Sequence, residues 1–321
     1  MLKKLFYATA VLSGLTIIVS LCAFFWHVVF SPGEQVKQKN IEKILSMESP
    51  VYYSDGQNKI GVYFQEAHRQ YIQYDEIPEA FIDAIIAAED NNFFKHFGVD
   101  IPGVMRAMLE NIKAGKIVQG GSTITQQTAK NLFKRKDRSL KSKLTELLHA
   151  LRLEYHYPKE KIMEFYANQF YVSGNGHGLG VAAQYYFDKT VAEMNTLECV
   201  FIAGSVKRPN YYNPFIKGDE EMADLAIKRA KQRSAYVLGQ MLKLGMLSRG
   251  AYEDYMEQEI AFKQGQMFFP LNTLMDFVKK GLSAPEVEEA LAAHGIDNIA
   301  TSGVRIYTTV EKELQDQAFY G

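Results

Sequence analysis

The sequence predicts a mainly α-helical chain with one small β-sheet and an N-terminal membrane-spanning helix. Three observations support this. Leu5–Phe30 is a long apolar run without Asp, Glu, Lys or Arg. From Pro78 to about Gly250 apolar residues recur mostly at helical spacing, with few strand-like stretches. Two β-like segments, Val51–Phe64 and Gly303–Val310, flank that helical block. At 321 residues, with 47% hydrophobic and 23% charged residues, the chain is an ordinary globular one with room for a large domain and an accessory piece. A net charge of -1 gives no general attraction to nucleic acid, so any anion binding has to be local. Cys22 and Cys199 make no disulfide framework.

The elements follow in order. Lys3 and Lys4 precede the apolar run, which is long enough for a bilayer core and favours an orientation with the N-terminus inside. Phe24, Phe25 and Trp26 suit the far interface. The run exceeds a signal-peptide core and no small-residue cleavage site follows, so residues 1–31 read as a cytoplasmic tip and single-pass anchor. Residues 32–75 read as a stalk and a β-hairpin, with an Asp55-Gly56 turn between Val51–Tyr53 and Ile60–Phe64. The helical domain spans 76–250, and residues 251–321 form a helical and β-like linker region.

Within the domain, Pro78 opens a helix whose stripe is Phe81, Ile82, Ile85, Ile86 and Glu89. Asp100 and Pro102 open a second, carrying Val104, Met105, Met108, Leu109 and Ile112 and ending at Gly115. A third starts at Ser122/Thr123, where Thr123 and Gln126 have capping-box spacing. A fourth, about Ser139–Tyr155, has a leucine stripe of Leu140, Leu144, Leu147 and Leu151 and stops before Pro158. Asn195 and Glu198 start a buried helix over Leu197–Val206. Val304, Ile306 and Thr308 alternate with Arg305, Tyr307 and Thr309. An isolated hairpin is marginal in water, so this run is expected to join the Val51–Phe64 hairpin in one sheet.

Three features point to chemistry. Glu89 ends an apolar stripe, where a bystander carboxylate would be costly to bury; it reads either as a solvated acid at a frayed helix end or as a general base at the edge of a cleft. Asp90 and His96 lie in the same Glu89–Gly98 segment. Gly120-Gly121-Ser122-Thr123-Ile124-Thr125-Gln126-Gln127 combines a flexible turn with a helix start, which reads either as a plain capped helix or, through its free N–H groups, as a phosphate site; it lacks the spacing of a nucleotide-binding P-loop. Lys130, Lys134, Arg135, Lys136, Arg138, Lys141 and Lys143 form a basic run opposed only by Asp137. Some of these face solvent or anionic lipid, while Lys130, Arg138 and Lys143 could stabilise a leaving pyrophosphate. Lys143 and Glu146 share a helix face beside the leucine stripe. A glycine-dense segment follows Asn168.

These motifs resemble the peptidoglycan glycosyltransferases of glycosyltransferase family 51, the polymerase part of class A penicillin-binding proteins. The resemblance covers about residues 50–250. It rests on Glu89, Asp90, Phe93, His96 and Gly98, on residues 120–127 with Lys130, and on Leu197, Glu198, Ala203, Gly204, Pro209, Tyr212, Asn213 and Pro214. It implies a lysozyme-like helical lobe with a membrane-proximal jaw, located outside the cytoplasmic membrane. It also implies lipid II and the growing lipid-linked glycan as substrates, with the membrane and cell-wall synthesis proteins as partners. Glu89 would deprotonate the acceptor hydroxyl and Glu146 would be the second catalytic carboxylate. Asp90, His96, Ser122, Thr123, Gln126, Gln127, Lys130, Arg138, Lys143 and Asn168 would bind substrate. A divalent metal (Mg or Mn) often accompanies the pyrophosphate, with Glu146 reaching it through that group.

One departure is Ser142-Lys143-Leu144-Thr145-Glu146, which lacks the first cation of the family's Arg-Lys-x-x-Glu and leaves Lys141 or Arg138 to compensate. In another, Ser173-Gly174-Asn175-Gly176 follows the Asn168-Gln169-Phe170-Tyr171 segment, one position later than the usual Gly-x-Gly. The end of the chain resembles the linker into a penicillin-binding domain, but no Ser-x-x-Lys or Lys-Thr-Gly occurs. Two other readings stand beside the polymerase: a muramidase-like lytic enzyme, which would need neither the basic run nor an anchor, and a non-catalytic lipid II-binding scaffold.

Overall fold

The computed structural model describes residues 12–16, 19, 22–23, 26, 28, 36–37, 41, 49–63, 68–69, 71–116, 120–133, 137, 139–173, 176–216, 220–265, 277–278, 280–294, 296, 299 and 304–315. Much of the predicted anchor, Leu5–Phe30, lies outside these residues; those described within it are helical. Among the described residues no helix is long and apolar enough to cross a membrane. The chain is mostly helical and divides into two compact units, one of residues 1–41 and 94–162, the other of 42–93 and 163–321.

In the first unit, α2 (Ile101–Ala114) begins after Asp100, with Pro102 in its first turn, and ends at Gly115 as predicted. Helix α3 (Ile124–Leu132) begins with the predicted capping box. The Thr123 hydroxyl accepts from the Gln126 N–H, and the Gln126 side chain accepts from the Thr123 N–H. Helix α4 (Leu140–His156) is capped by Ser139, whose hydroxyl accepts from the N–H of Ser142. Ser142, the departure noted in the sequence, thus supplies its backbone N–H to a helix cap. Helices α3 and α4 pack together. Glu154 ties this pair to the next helix start, accepting from the Thr125 hydroxyl at 2.5 Å and from Lys159 Nζ at 2.7 Å.

The leucine stripe of α4 is not its buried face. Leu140 is 85% and Leu144 66% exposed, and the buried face is built from Glu146, Ala150, Arg152 and Leu153. Periodicity locates an apolar face but does not say what it meets. Helix α2 repeats the pattern: Ile101, Val104, Met105, Met108, Leu109 and Ile112 are exposed, and among its residues only Ala107 is buried.

In the second unit, β1 (Ser49–Tyr52) and β2 (Lys59–Tyr63) form the predicted hairpin, with Asp55 accepting from the N–H groups of Gln57 and Asn58 in its turn. The last strand, Ile306–Tyr307, pairs parallel to β1, with Val51 opposite Ile306 and Tyr52 opposite Tyr307. The expected single sheet therefore exists, in the order hairpin strand β2, β1, last strand. Residues 304–310 alternate half-buried and exposed as their pattern requires. A second small sheet joins β3 (His68–Arg69), β4 (Tyr171–Ser173) and β5 (Gly176–His177).

The core of this unit is a packed trio: α1 (Glu79–Glu89), α7 (Thr196–Ser205) and α9 (Glu220–Lys243). Helix α7 has the predicted Asn195–Glu198 capping box, and every residue from Leu197 to Ser205 is buried. Helix α5 (Lys159–Ala167) carries the chain between the units, and α6 (Leu179–Phe187), α8 (Pro209–Tyr212), α10 (Arg249–Glu257) and α11 (Pro285–Ala293) complete the helices named here. Tyr185, Tyr186, Phe187, Phe201, Phe215 and Phe262 form an aromatic cluster beside α6.

Candidate active site

Glu89 is the last residue of α1. That helix is held by buried Phe81, Ala84, Ile85, Ile86 and Ala87, so its final carboxylate is delivered to a fixed place. The Glu89 side chain is 16% exposed, and Arg233 of α9 places a guanidinium nitrogen 3.5 Å from its Oε1. Asp90 follows as the buried helix C-cap. Tyr166 of α5 is fully buried close enough to both acids to feel their charge. Burial first, then Glu89 and Asp90, hold its hydroxyl far above the ordinary tyrosine range, so it stays neutral. Phe93, in the same motif, is fully buried and anchors the turn that leaves α1.

Gly98 explains the last letter of that motif. Its backbone is left-handed (φ 79°), a Cβ would meet Glu154 Cγ at 3.1 Å, and its carbonyl accepts from the Thr123 hydroxyl at 2.7 Å. The segment is thereby tied to the start of α3. His96 is half-buried in this turn.

The predicted anion group lies in the first unit. Ser122 is exposed just before the cap, and Lys143 Nζ donates to its hydroxyl at 3.3 Å. Lys143 also pairs closely with Glu146, whose side chain is 3% exposed. A buried carboxylate thus holds a half-exposed ammonium beside a serine hydroxyl and a helix start. Thr123 and Gln126 serve the cap itself, Gln127 is half-buried and Lys130 is exposed on α3. Arg138 lies outside the described residues. His149, within the same helix, is pushed down to about 4 by burial and then by Arg152, so it adds no positive charge at neutral pH.

Asn168 is buried in the second unit. Its Oδ1 accepts from the Ile72 N–H, and its Nδ2 donates to the carbonyls of Ile72 and Glu164, which makes it a strut between segments. Glu164 in turn accepts from the Tyr71 hydroxyl and the Tyr74 N–H. Among the described residues no group of three or more His, Cys, Asp or Glu is disposed to hold a metal, and Glu146 is engaged by Lys143. This donor set does not fit a protein-held cation.

Sequence reasoning missed Arg233 and Glu154. Arg233 lies between Ala230 and Val237 on the buried stripe of α9. A charged residue on a buried stripe is the same signal that singled out Glu89.

A family model described as transglycosylase matches residues 56–242, more than half of the chain and including both groups above. The chain belongs to the transglycosylase family. Transglycosylase relatives include penicillin-binding protein 1A of Neisseria flavescens, 36% identical over 83% of this chain and 31% of the relative. Those of Pseudomonas aeruginosa (34%, covering 85% and 31%) and Aquifex aeolicus (38%, covering 77% and 32%) are similar too. The chain thus spans about a third of the length of the curated relatives it matches. A crystal structure of penicillin-binding protein 1A from Haemophilus influenzae aligns with a TM-score of 0.45 at 21% identity, covering 85% of this chain and 28% of that one.

Proposed function

We propose that this transglycosylase polymerises lipid II into β-1,4-linked glycan with inversion at the anomeric carbon. The observation that carries the reading is the Ser122–Lys143–Glu146 group at the start of α3. Helix N–H groups, a hydroxyl and an ammonium in one place suit a departing pyrophosphate, whose charge grows as the bond breaks. A hydrolase of soluble glycan has no use for such a group.

In this reading Glu89 takes the proton from the acceptor 4-hydroxyl as the oxygen attacks the anomeric carbon of the lipid-linked chain. The bond to pyrophosphate breaks, and Lys143 receives the developing charge with help from Lys130 and Arg138. Glu146 keeps Lys143 in place. Asp90, His96, Gln127 and the capped turn shape the surroundings, while Asn168 acts through the backbone it braces. A divalent ion would take its ligands mainly from the pyrophosphate, and no step is assigned to it.

The exposed apolar face of α2 supports a membrane-seated jaw in an enzyme with a lysozyme-like lobe. With the Leu5–Phe30 run it supports a single-pass protein whose catalytic part lies outside the bacterial cytoplasmic membrane. Cell-wall synthesis proteins are the expected partners.

The test is incubation of the whole chain with labelled lipid II and a divalent metal, followed by sizing of the glycan. Long glycan is expected, and Glu89→Gln, which cannot accept the proton, should lose at least ~10²-fold. Near-normal polymerisation by that variant excludes Glu89 as the base. Release of soluble muropeptides would identify a lytic enzyme instead, and lipid II binding without turnover a scaffold.

A further inference from the structure

The charge environment of Glu89 raises a problem that α9 answers. A carboxylate on the last residue of a helix meets the negative end of the helix dipole, and Asp90 adds a second acid immediately after it. Tyr166, the titratable neighbour from α5, is neutral and cannot offset them. From α7, Glu198, held by Lys189 at 2.7 Å, and Cys199, whose thiol burial pushes up to about 12, are acids that can carry no positive charge. On α9, Arg229 lies 4.0 Å over the ring of Tyr211. Arg233 of the same helix is, among the described residues, a cation that reaches Glu89.

The guanidinium of Arg233 is held from three sides. Its Nε donates to the carbonyl of Gly204 on α7 at 3.0 Å, its carbon sits 4.8 Å over the ring of Tyr236, and a terminal nitrogen faces Glu89 at 3.5 Å. The planar fork leaves one edge for the carboxylate once the other is taken by the helix carbonyl. Gly204 makes the approach possible, because a Cβ there would lie 3.1 Å from Arg233 Cγ and 3.3 Å from Val237 Cγ2. Both members of the pair are largely shielded, with side chains 15% and 16% exposed, so water screens their attraction weakly.

We infer that Arg233 is a positioning residue for the reaction: locked by Gly204 and Tyr236, it aims the Glu89 carboxylate and keeps it charged against Asp90 and the helix end. The inference rests on the reading of Glu89 as general base. It does not require Arg233 to touch substrate.

The experiment compares Arg233→Gln, Arg233→Lys and Glu89→Gln in the whole chain, measuring lipid II polymerisation across pH together with thermal unfolding. Arg233→Gln should lose at least ~10-fold in turnover near neutral pH with little change in apparent affinity. Its deficit should shrink as pH rises, because a carboxylate without its cation needs a higher pH to ionise. Arg233→Lys keeps the charge without the fork and should recover part of the turnover and most of the pH dependence, which also covers the case in which Arg233→Gln fails to fold. A deficit in both variants that is uniform in pH, or one confined to apparent affinity, overturns the inference. If Arg233 is unimportant, Glu89→Gln is inactive while both Arg233 variants behave as wild type. If instead Glu89 is not the base, Glu89→Gln itself stays active, and the two failures are told apart.

Discussion

Helices α2 and α7 are both rich in apolar residues, yet they meet opposite fates. Helix α7 buries everything from Leu197 to Ser205, including Gly204, where α9 comes close. Helix α2 keeps six large apolar side chains exposed, and the same unit leaves Leu140 and Leu144 of α4 outside. The charged groups divide in the same way. In the second unit Arg233 and Glu89 are shielded and clamped by packed helices, whereas in the first Lys143 is half-exposed at a helix start, paired with the buried Glu146. One unit fixes a carboxylate among packed helices; the other exposes apolar side chains and an ammonium. Such a surface supports the proposed lipid substrate with an anionic head.

The contrast can be tested by attacking the open unit. In the proposed mechanism Lys143→Ala removes the charge that meets the leaving group, and turnover should fall about 10²-fold while apparent affinity changes less. A change confined to affinity would make Lys143 a uniform binding residue. Next in size, the double substitution Met108→Asp with Leu109→Asp should reduce polymerisation of bilayer-embedded lipid II about 10-fold, with turnover in detergent preserved. Equal losses in both media would mean that the α2 face serves folding, not a membrane. The smallest effect is expected at the junction of the two motifs. Thr123→Ala deletes the cap on α3 and the bond to the Gly98 carbonyl, and should lower unfolding stability by about 1 kcal/mol in denaturant titrations. Unchanged stability would show that the capping box is redundant here.

The sequence by itself determined what depends on near neighbours along the chain. Thr123–Gln126 and Asn195–Glu198 are three residues apart, so both capping boxes were readable before any fold was known. The alternation in 304–310 gave the last strand its two faces, and the marginal stability of a lone hairpin supplied its partner. The anion group was half readable: Lys143 and Glu146 share a helix turn, but the approach of Lys143 to Ser122 depends on how α3 and α4 pack. Glu89 could be singled out from its stripe, while its pairing with Arg233 could not, because the two residues lie on helices distant in sequence and meet only through the trio with α7. The bracing of Asn168 on Ile72 and of Glu154 on Thr125 and Lys159 has the same origin. Tertiary structure alone also decided which apolar stripes became core. Periodicity fixes the direction of a side chain relative to its own helix, whereas burial requires a second surface, and nothing in the local pattern of α2 or α4 says whether that surface belongs to the protein.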